Sequence, residues 1–316
     1  VRNMGYMSGQ VSMHTQVKGK KIKVGYQIHS GEPYLISHVA YDIADYQIHD
    51  YLMADSARSY LKSGSRLDVN KLDEERDRIT QYLQNRGYYR FNKDFITYQV
   101  DTMRNSRNVD LIMKLHPYRR KKEDPPSPHR QYYVRNVDFM FDVDFAELTS
   151  GRLKGIDSLR SGGVNFFYKD KLFLRPQVIS DYNYLKSGNL YRTRDVQSTY
   201  SALGRLNILK YSNIRFREEL EADSAYLDAY VMLTRNKNKS LSFEIEGTNS
   251  AGDLGAAASV AYSHRNLFKG SETFTFKLRG AYEAVTGLEG YVNSNYLEYG
   301  VEASLSFPEF MFPFLS

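Results

Sequence analysis

The sequence predicts two kinds of structure in succession: α+β modules with the element order β-α-α-β-β, followed by the first four antiparallel strands of a transmembrane β-barrel. Two observations support this prediction. The pentapeptide YLKSG occurs at Tyr60–Gly64 and again at Tyr184–Gly188, each time within a similar pattern of apolar residues, as expected of a repeated unit. From Ser240 onward, apolar and polar residues alternate strictly, which is the period of a β-strand.

Composition excludes several classes of protein. The 316 residues include no cysteine, which rules out disulfide scaffolds, thiolate metal sites and cysteine nucleophiles. No apolar run approaches the ~18–20 residues of a membrane helix, whereas a barrel strand needs only ~9–11 residues with one apolar face.

The net charge is +6, yet residues 239–316 hold five basic and nine acidic side chains. The basic remainder would attract nucleic acid, anionic lipid or acidic polypeptide, or simply keep the surface soluble.

The first complete module is predicted at residues 32–117. It opens with a strand at Leu35–Ile43 and closes with a strand pair at Phe95–Val100 and Asn108–Leu115, where β-branched and aromatic residues are frequent. The helices lie between these strands, on either side of the first YLKSG.

The helix after this YLKSG is predicted from its apolar face and its ends. One face carries Leu72, Ile79 and Leu83. Asp68 or Asn70 is expected to cap the start, and Gly87 suits the position just after the end.

A second complete module is predicted at residues 131–236 with the same order. Its first strand is Tyr132–Phe141, and its closing pair is Ser212–Leu220 and Ala225–Leu233. Residues 145–171 contain Gly and Ser and are interpreted as a surface loop inserted into this module.

The beginning of the chain resembles the end of such a module. Residues 1–31 hold a strand pair, Gly9–Val17 and Lys21–Ile28, and Gly5 corresponds to Gly87. We therefore expect residues 1–31 to be the carboxyl-terminal half of a module. Residues 118–130 are proline-rich and basic, which predicts an extended linker.

The final domain is predicted at residues 237–316. In its first strand Leu241, Phe243 and Ile245 alternate with Ser242, Glu244 and Glu246, and three further stretches alternate in the same way. A soluble antiparallel sandwich alternates similarly. The length of the strands and the charges on their polar faces favour a barrel with lipid outside and water inside.

The modules resemble the polypeptide-transport-associated, or POTRA, domain in their YLKSG and in QNRGYYRF at Gln84–Phe91. The segment Gly247–Phe274 is similar to the first hairpin and following turn of the barrel in the BamA/TamA superfamily. The junction HRQYYVRNVDF, with the linker before it, looks most like the TamA-like lipoprotein branch. The resemblance covers nearly the whole chain. It implies a bacterial outer-membrane barrel preceded by POTRA domains in the periplasm.

Two features depart from that pattern. Four strands cannot close a barrel, because open edges in hydrocarbon leave backbone groups unpaired at a cost of several kcal/mol each; we expect the chain to be part of a longer protein. The second module has Asn207 where the first has Gly87, and Asn207 is expected to adopt the left-handed conformation in its place.

The resemblance implies that the protein binds unfolded client chains by adding their strands to its own sheet edges. The edges would be the second strand of each module and the first barrel strand. Gly247 would weaken the seam of the barrel because it has no side chain to pack. For every candidate residue, the alternative is that it only forms part of its own sheet and binds no client. The candidates are Phe95, Ile96, Thr97, Tyr98, Ile214, Phe216, Leu241, Phe243, Ile245 and Gly247.

No catalytic, metal or cofactor site is predicted, and we expect the protein not to be an enzyme. The seven histidines lack ligand spacing, although His14 and His29 are placed to face each other across a hairpin. An acidic cluster at Glu74, Glu75 and Asp77 is interpreted as a solvated helix face. Gly151–Gly163 lacks the spacing of a phosphate loop.

Three functions compete. The leading one is a component that helps outer-membrane proteins insert, with unfolded outer-membrane proteins, outer-membrane lipids and periplasmic or lipoprotein subunits as partners. The alternative is a polypeptide or lipid export channel of the same superfamily. Nucleic-acid binding is disfavoured, because the tyrosines alternate with core positions instead of lining one basic face.

Overall fold

A computed structural model describes residues 2–102, 106–121, 123–151, 155–221, 224–250, 253–284 and 295–308. It contains both α and β structure with more strands than helices. The chain divides into two compact units. The first runs to Tyr132 and includes Leu190–Thr193; the second comprises Tyr133–Asn189 and the residues from Arg194 onward.

The first unit begins with a two-stranded antiparallel hairpin, β1 (Gln10–Lys18) and β2 (Lys21–His29). Its strand register brings apolar side chains to one face, and these are largely exposed to solvent. They are Val11, Met13, Val17, Ile22, Val24, Tyr26 and Ile28.

The same unit then forms an α+β module. Its strands are β3 (Leu35–Ile43), β4 (Ile96–Thr102) and β5 (Asn108–Leu115), and its helices are α1 (Tyr46–Ala54) and α2 (Val69–Gln84). The sheet order is β3-β5-β4, with β5 parallel to β3 and antiparallel to β4.

Capping and apolar periodicity explain the two helices. Asp45 accepts a hydrogen bond from the Ile48 amide at the start of α1, and Asp68 accepts one from the Asn70 amide at the start of α2. The sequence left Asp68 and Asn70 as alternatives, and the structure selects Asp68. The helices then bury their apolar faces against the sheet. The main core residues are Ile48, Leu52, Ile79, Leu83, Tyr88, Phe91, Ile96 and Met113.

The second unit contains a larger module. Its strands in chain order are β6 (Tyr132–Phe141), β7 (Asp157–Ser161), β8 (Val164–Tyr168), β9 (Leu209–Leu220) and β10 (Ala225–Arg235). Its helices are α3 (Phe145–Thr149), α4 (Pro176–Asp181) and α5 (Thr193–Leu203). The sheet order is β7-β8-β6-β10-β9.

The interpretation of residues 145–171 as a surface loop was wrong. This segment forms α3, β7 and β8, and β8 extends the sheet by pairing in parallel with β6. The physical reason is that Val164 and Phe166, two residues apart, both point into the core. The segment is therefore more stable as a paired strand than as a solvated loop.

The second unit continues into a four-stranded antiparallel sheet in chain order: β11 (Lys239–Ser250), β12 (Asp253–Arg265), β13 (Thr273–Ala284) and β14 (Asn295–Ser306). Its register aligns apolar side chains in rows on one face. Phe243, for example, lies beside Val260, which lies beside Leu278. Polar and small residues form the other face. Residues 309–316 of the predicted final domain lie outside the described residues. Among the described helices, all are too short or too polar to cross a bilayer.

Candidate functional site

The predicted client-binding strands all lie at sheet edges. In the described part of the chain, β4, β9 and β11 are each terminal in their sheet order. An edge strand presents unpaired N–H and C=O groups to any strand that approaches. The three edges differ in how far the protein itself covers them.

The β4 edge is short, and two of the three candidate side chains that lie in it serve the core. Ile96 is fully buried, and Tyr98 packs against the same core; burial raises the pKa of the Tyr98 hydroxyl. Thr97 is exposed, with its Oγ1 2.8 Å from Nε2 of His116. Phe95 was wrongly predicted to be part of this strand.

Phe95 instead ends a 3₁₀ turn at Lys93–Phe95. Its ring makes an edge-to-face contact with His129, with the ring centroids 4.7 Å apart, and also packs against Phe91 and Tyr118. The Nε2 of His129 lies 2.9 Å from the carbonyl oxygen of His116. Burial lowers the pKa of His129.

The β9 edge is closed at its centre by a side chain of its own module. The amide of Ile214 donates to the hydroxyl of Tyr200, on α5, over 2.6 Å. The same hydroxyl lies 3.2 Å from Oδ1 of Asn213. Ile214 is buried and Phe216 is half-buried. An added strand would therefore have to displace Tyr200.

The β11 edge is as long as the β9 edge, at 12 residues, and is the most open of the three. Leu241, Phe243 and Ile245 expose 58%, 72% and 87% of their surface on one face. A Cβ built at Gly247 would meet no atom within 4 Å. In the described part of the chain, β11 pairs with a neighbouring strand on one side only, the side of β12. This strand best fits the predicted site.

The opposite face of β11 carries two carboxylates that reach across β12. Glu244 lies 3.4 Å from the Lys277 ammonium, and Glu246 lies 3.4 Å from the Arg279 guanidinium. The small side chains of Ala257 and Ser259 lie between them on β12. The ion pairs therefore link the edge strand to the strand beyond its neighbour.

The turn between β12 and β13, Asn266–Glu272, is built around a buried carboxylate that the sequence did not reveal. Glu272 is 4% exposed. Its Oε2 accepts hydrogen bonds from the amides of Phe268 and Gly270, at 3.1 and 2.9 Å. Its Oε1 lies 3.4 Å from the guanidinium of Arg175. Asn266, Lys269 and Ser271 all have positive φ.

This turn is bonded to the module within the same unit. Asn266 donates from Nδ2 to the Phe173 carbonyl over 2.5 Å. The Arg175 amide donates to the Lys269 carbonyl over 2.9 Å. The Ile208 amide donates to Oγ of Ser271 over 3.2 Å. Because these bonds hold the turn in place, it also fixes the adjoining ends of β12 and β13.

Three smaller predictions need correction. Asn207 is not among the residues with positive φ, although the chain turns at Asn207–Ile208 as well as at Gly204–Arg205. His14 lies opposite Gly25, and His29 lies opposite Gln10, so the two histidines do not face each other.

Glu75, assigned to a solvated face, is 1% exposed. It forms an ion pair with Arg78 at 2.8 Å and accepts the Tyr60 amide. No group of three or more His, Asp or Glu side chains in the described ranges is placed to hold a metal ion.

The site is thus an open first strand at the edge of an antiparallel sheet, fixed at one end to an α+β module. No protein-family model matches the chain, and no curated protein does. Similar solved structures include BamA from Haemophilus ducreyi lacking POTRA domains 1-3, with 14% identity over 87% of this chain and 48% of that chain, and a TM-score of 0.46.

Two further similar structures are POTRA3-5 of Haemophilus influenzae BamA and CdiB from Acinetobacter baumannii. The first has 12% identity over 73% of this chain and 74% of that chain, with a TM-score of 0.40. The second has 9% identity over 87% of this chain and 50% of that chain, with a TM-score of 0.34. The chain spans about half the length of the Haemophilus ducreyi structure. These similarities are too low to assign the chain to a family.

Proposed function

We propose that the protein is an outer-membrane assembly component whose β11 edge receives strands of unfolded outer-membrane polypeptides. The observation that supports this most is the combination of an open backbone edge with an apolar face on the same strand. In hydrocarbon an unpaired backbone group costs several kcal/mol. A client strand that pairs with β11 removes this cost for both chains, so its own burial and hydrogen bonding drive the reaction.

The other elements have supporting roles in this proposal. The α+β modules lie in the periplasm, where the β4 edge offers a weaker place for extended polypeptide. Outer-membrane lipids contact the apolar face of β11–β14, and periplasmic or lipoprotein subunits bind the modules. The finer TamA-like assignment remains a prediction from sequence.

Site-specific crosslinking tests the proposal. The 316 residues include no cysteine, so a single cysteine introduced at Leu241 or Ile245 is unique among them. The full-length protein, in lipid nanodiscs, is mixed with a peptide of ~10 residues, long enough for a barrel strand, in which apolar residues and serines alternate around one cysteine. We expect disulfide crosslinks at both positions.

Leu278→Cys is the matched control, because Leu278 lies on the same face but in β13, which is paired on both sides. Equal crosslinking at Leu278, or none at Leu241 and Ile245, would contradict the proposal. A polypeptide or lipid export channel predicts instead that the complete barrel conducts ions without added peptide.

A further inference from the structure

The sheet of the larger module, β6–β10, lacks the edge that its first strand would otherwise form. Near the start of β6, the Val134 amide donates to the Asn189 carbonyl over 2.8 Å, and the Gly188 amide donates to the Val134 carbonyl over 2.7 Å. The last four residues of β6, Asp138–Phe141, pair with β8. Among the described strands of the first unit, the equivalent strand β3 is instead terminal in its sheet. The hairpin β7–β8 thus covers an edge that the other module keeps.

The strand that becomes terminal on this side, β7, is short and charged. It has five residues, four of them exposed, and it carries Asp157 and Arg160. Short strands and exposed charges are features by which natural sheets avoid adding further strands at their edges. Five residues also amount to only about half of the ~9–11 residues of a barrel strand. This edge is therefore poorly suited to an incoming client strand.

The opposite edge, β9, is long, but one hydroxyl lies against both backbone groups at its centre. The Tyr200 hydroxyl accepts the Ile214 amide over 2.6 Å and lies 3.4 Å from the Ile214 carbonyl oxygen. Ile214 is the sixth of the 12 residues of β9, so on either side only about half the length of a barrel strand remains. The Tyr200 ring packs against the core of this module, which holds the hydroxyl in place.

The β11 edge lies close to β9 along the chain and differs from it in this respect. Residues 236–238 alone separate β10 from β11. Both β9 and β11 have 12 residues and are terminal among the described strands of their sheets. A client strand that reaches the second unit can therefore meet two edges of equal length, of which β9 is closed at its centre by Tyr200.

We propose that Tyr200 determines which edge of the second unit receives a client strand, because it keeps β9 closed and leaves strand addition to β11. The inference rests on the proposed function and adds how that function is made selective. A strand held on β9 would be paired in the periplasmic module, where it gains no burial in lipid. Selectivity is often achieved by a group that excludes the wrong complex. Tyr200 is such a group, and β7–β8 has the same effect at the other edge.

Crosslinking with the alternating peptide described above tests this role in the full-length protein in nanodiscs. A single cysteine replaces Arg215, which is exposed and adjacent to Ile214. Crosslinking there should be roughly tenfold weaker than at Leu241, because pairing would break the bond between Tyr200 and Ile214. Tyr200→Ala should raise it about tenfold. Tyr184→Ala is the matched control, because Tyr184 is an exposed tyrosine of the same module, and it should leave crosslinking at Arg215 unchanged.

Crosslinking at Leu241 separates this inference from the proposed function. If the Tyr200→Ala protein still crosslinks at Leu241 but shows no rise at Arg215, the role of Tyr200 is refuted and the proposed function stands. Equally strong crosslinking at Arg215 and Leu241 with Tyr200 in place would also refute that role. Absence of crosslinks at Leu241 in every variant would refute the proposed function, and with it the selection between edges.

Tyr200→Phe tests the closure without removing the ring from the core. Only the hydroxyl is lost, so the Ile214 amide should exchange its hydrogen about tenfold faster, the change expected from the loss of one hydrogen bond. The amides of β10 should exchange at their original rates, which shows that the module remains folded. Unchanged exchange at Ile214 would overturn the inference even if Tyr200→Ala failed to fold.

Discussion

Two glycines of the first unit show what a single missing side chain does in this protein. Gly5 and Gly64 both have positive φ, +86° and +80°, a region that side chains with a Cβ enter at a cost of ~1–2 kcal/mol. A Cβ at Gly5 would lie 2.8 Å from the backbone oxygen of Leu67, whereas one at Gly64 would meet nothing within 4 Å. The carbonyl of Gly5 also accepts the Tyr34 amide over 2.8 Å.

Gly5→Ala should therefore destabilise the start of β3 more than Gly64→Ala does. The conformational cost is common to both, but only Gly5→Ala adds a collision with backbone, worth about 1–3 kcal/mol. Hydrogen exchange at the Tyr34 amide measures the difference, with Gly64→Ala as the control. Equal effects would show that the contact with Leu67 is easily relieved.

Residue identity alone did not reveal which charged groups are buried. Glu75 sits in a helical stretch rich in charge, so its sequence context indicates solvent, yet Arg78 and the Tyr60 amide hold it inside. Glu272 is likewise stabilised by backbone amides and by Arg175, which lies far away in the sequence. Partners of this kind are set by tertiary folding, and a local pattern cannot contain them.

At the scale of elements, the two YLKSG segments perform the same task with different partners. The Tyr60 amide donates to Oε2 of Glu75 over 3.0 Å, and the Tyr184 amide donates to Oγ1 of Thr199 over 3.1 Å. In both modules a side chain of the helix after YLKSG, α2 or α5, thus holds the loop that follows the helix before it, α1 or α4.

Thr199→Val should remove this support in the second unit. Valine has nearly the shape of threonine but no acceptor, so the Tyr184 amide would stay unsatisfied at a cost of about 1–3 kcal/mol. Thr199→Ser retains the hydroxyl and should keep most of the stability. Equilibrium unfolding of the full-length protein compares the two. A loss as large in the serine variant would mean that the methyl group matters more than the bond.

The sequence predicted strands where apolar residues occupy every second position over the length of a typical strand. The alternation that predicts β11–β14 is set by each strand's own side chains. It failed for β8, a five-residue strand whose pairing partner β6 is distant in sequence. Edge position was expected for β4, β9 and β11 from the family resemblance. That Tyr200 closes the β9 edge could not be predicted, because this contact depends on how α5 lies across the sheet.

At the scale of the whole molecule, the two units should respond differently to acid. In the first, burial lowers the pKa of His129 below its usual ~6.5. In the second, burial raises the pKa of Asp228, but hydrogen bonds from Arg135, Asn136 and Arg217 outweigh this and hold it below its usual ~3.9. Burial raises the pKa of Asp138.

Whether acid raises or lowers stability depends on whether the folded or the unfolded state binds more protons. Neutral His129 contributes stability that is present above about pH 6.5 and is lost as the pH falls further. Asp228 contributes stability that is present above about pH 3.9 and is lost below it. Protonation of Asp138 has the opposite effect, because it removes the free-energy cost of burying a charged carboxylate. Exchange protection should therefore fall first in the first unit between pH 7.5 and 5.5. His129→Gln should abolish most of that fall; earlier loss in the second unit would contradict the assignment.

The paired YLKSG segments also bear on how such proteins are detected. A carboxylate fulfils in one copy what a hydroxyl fulfils in the other, so what is repeated is the position of an acceptor and not a type of amino acid. A comparison that scores letters will count this position as a mismatch even within one chain. Searches that score backbone amides and the acceptors that reach them would recognise such repeats where the similarity between amino-acid sequences is too low to detect.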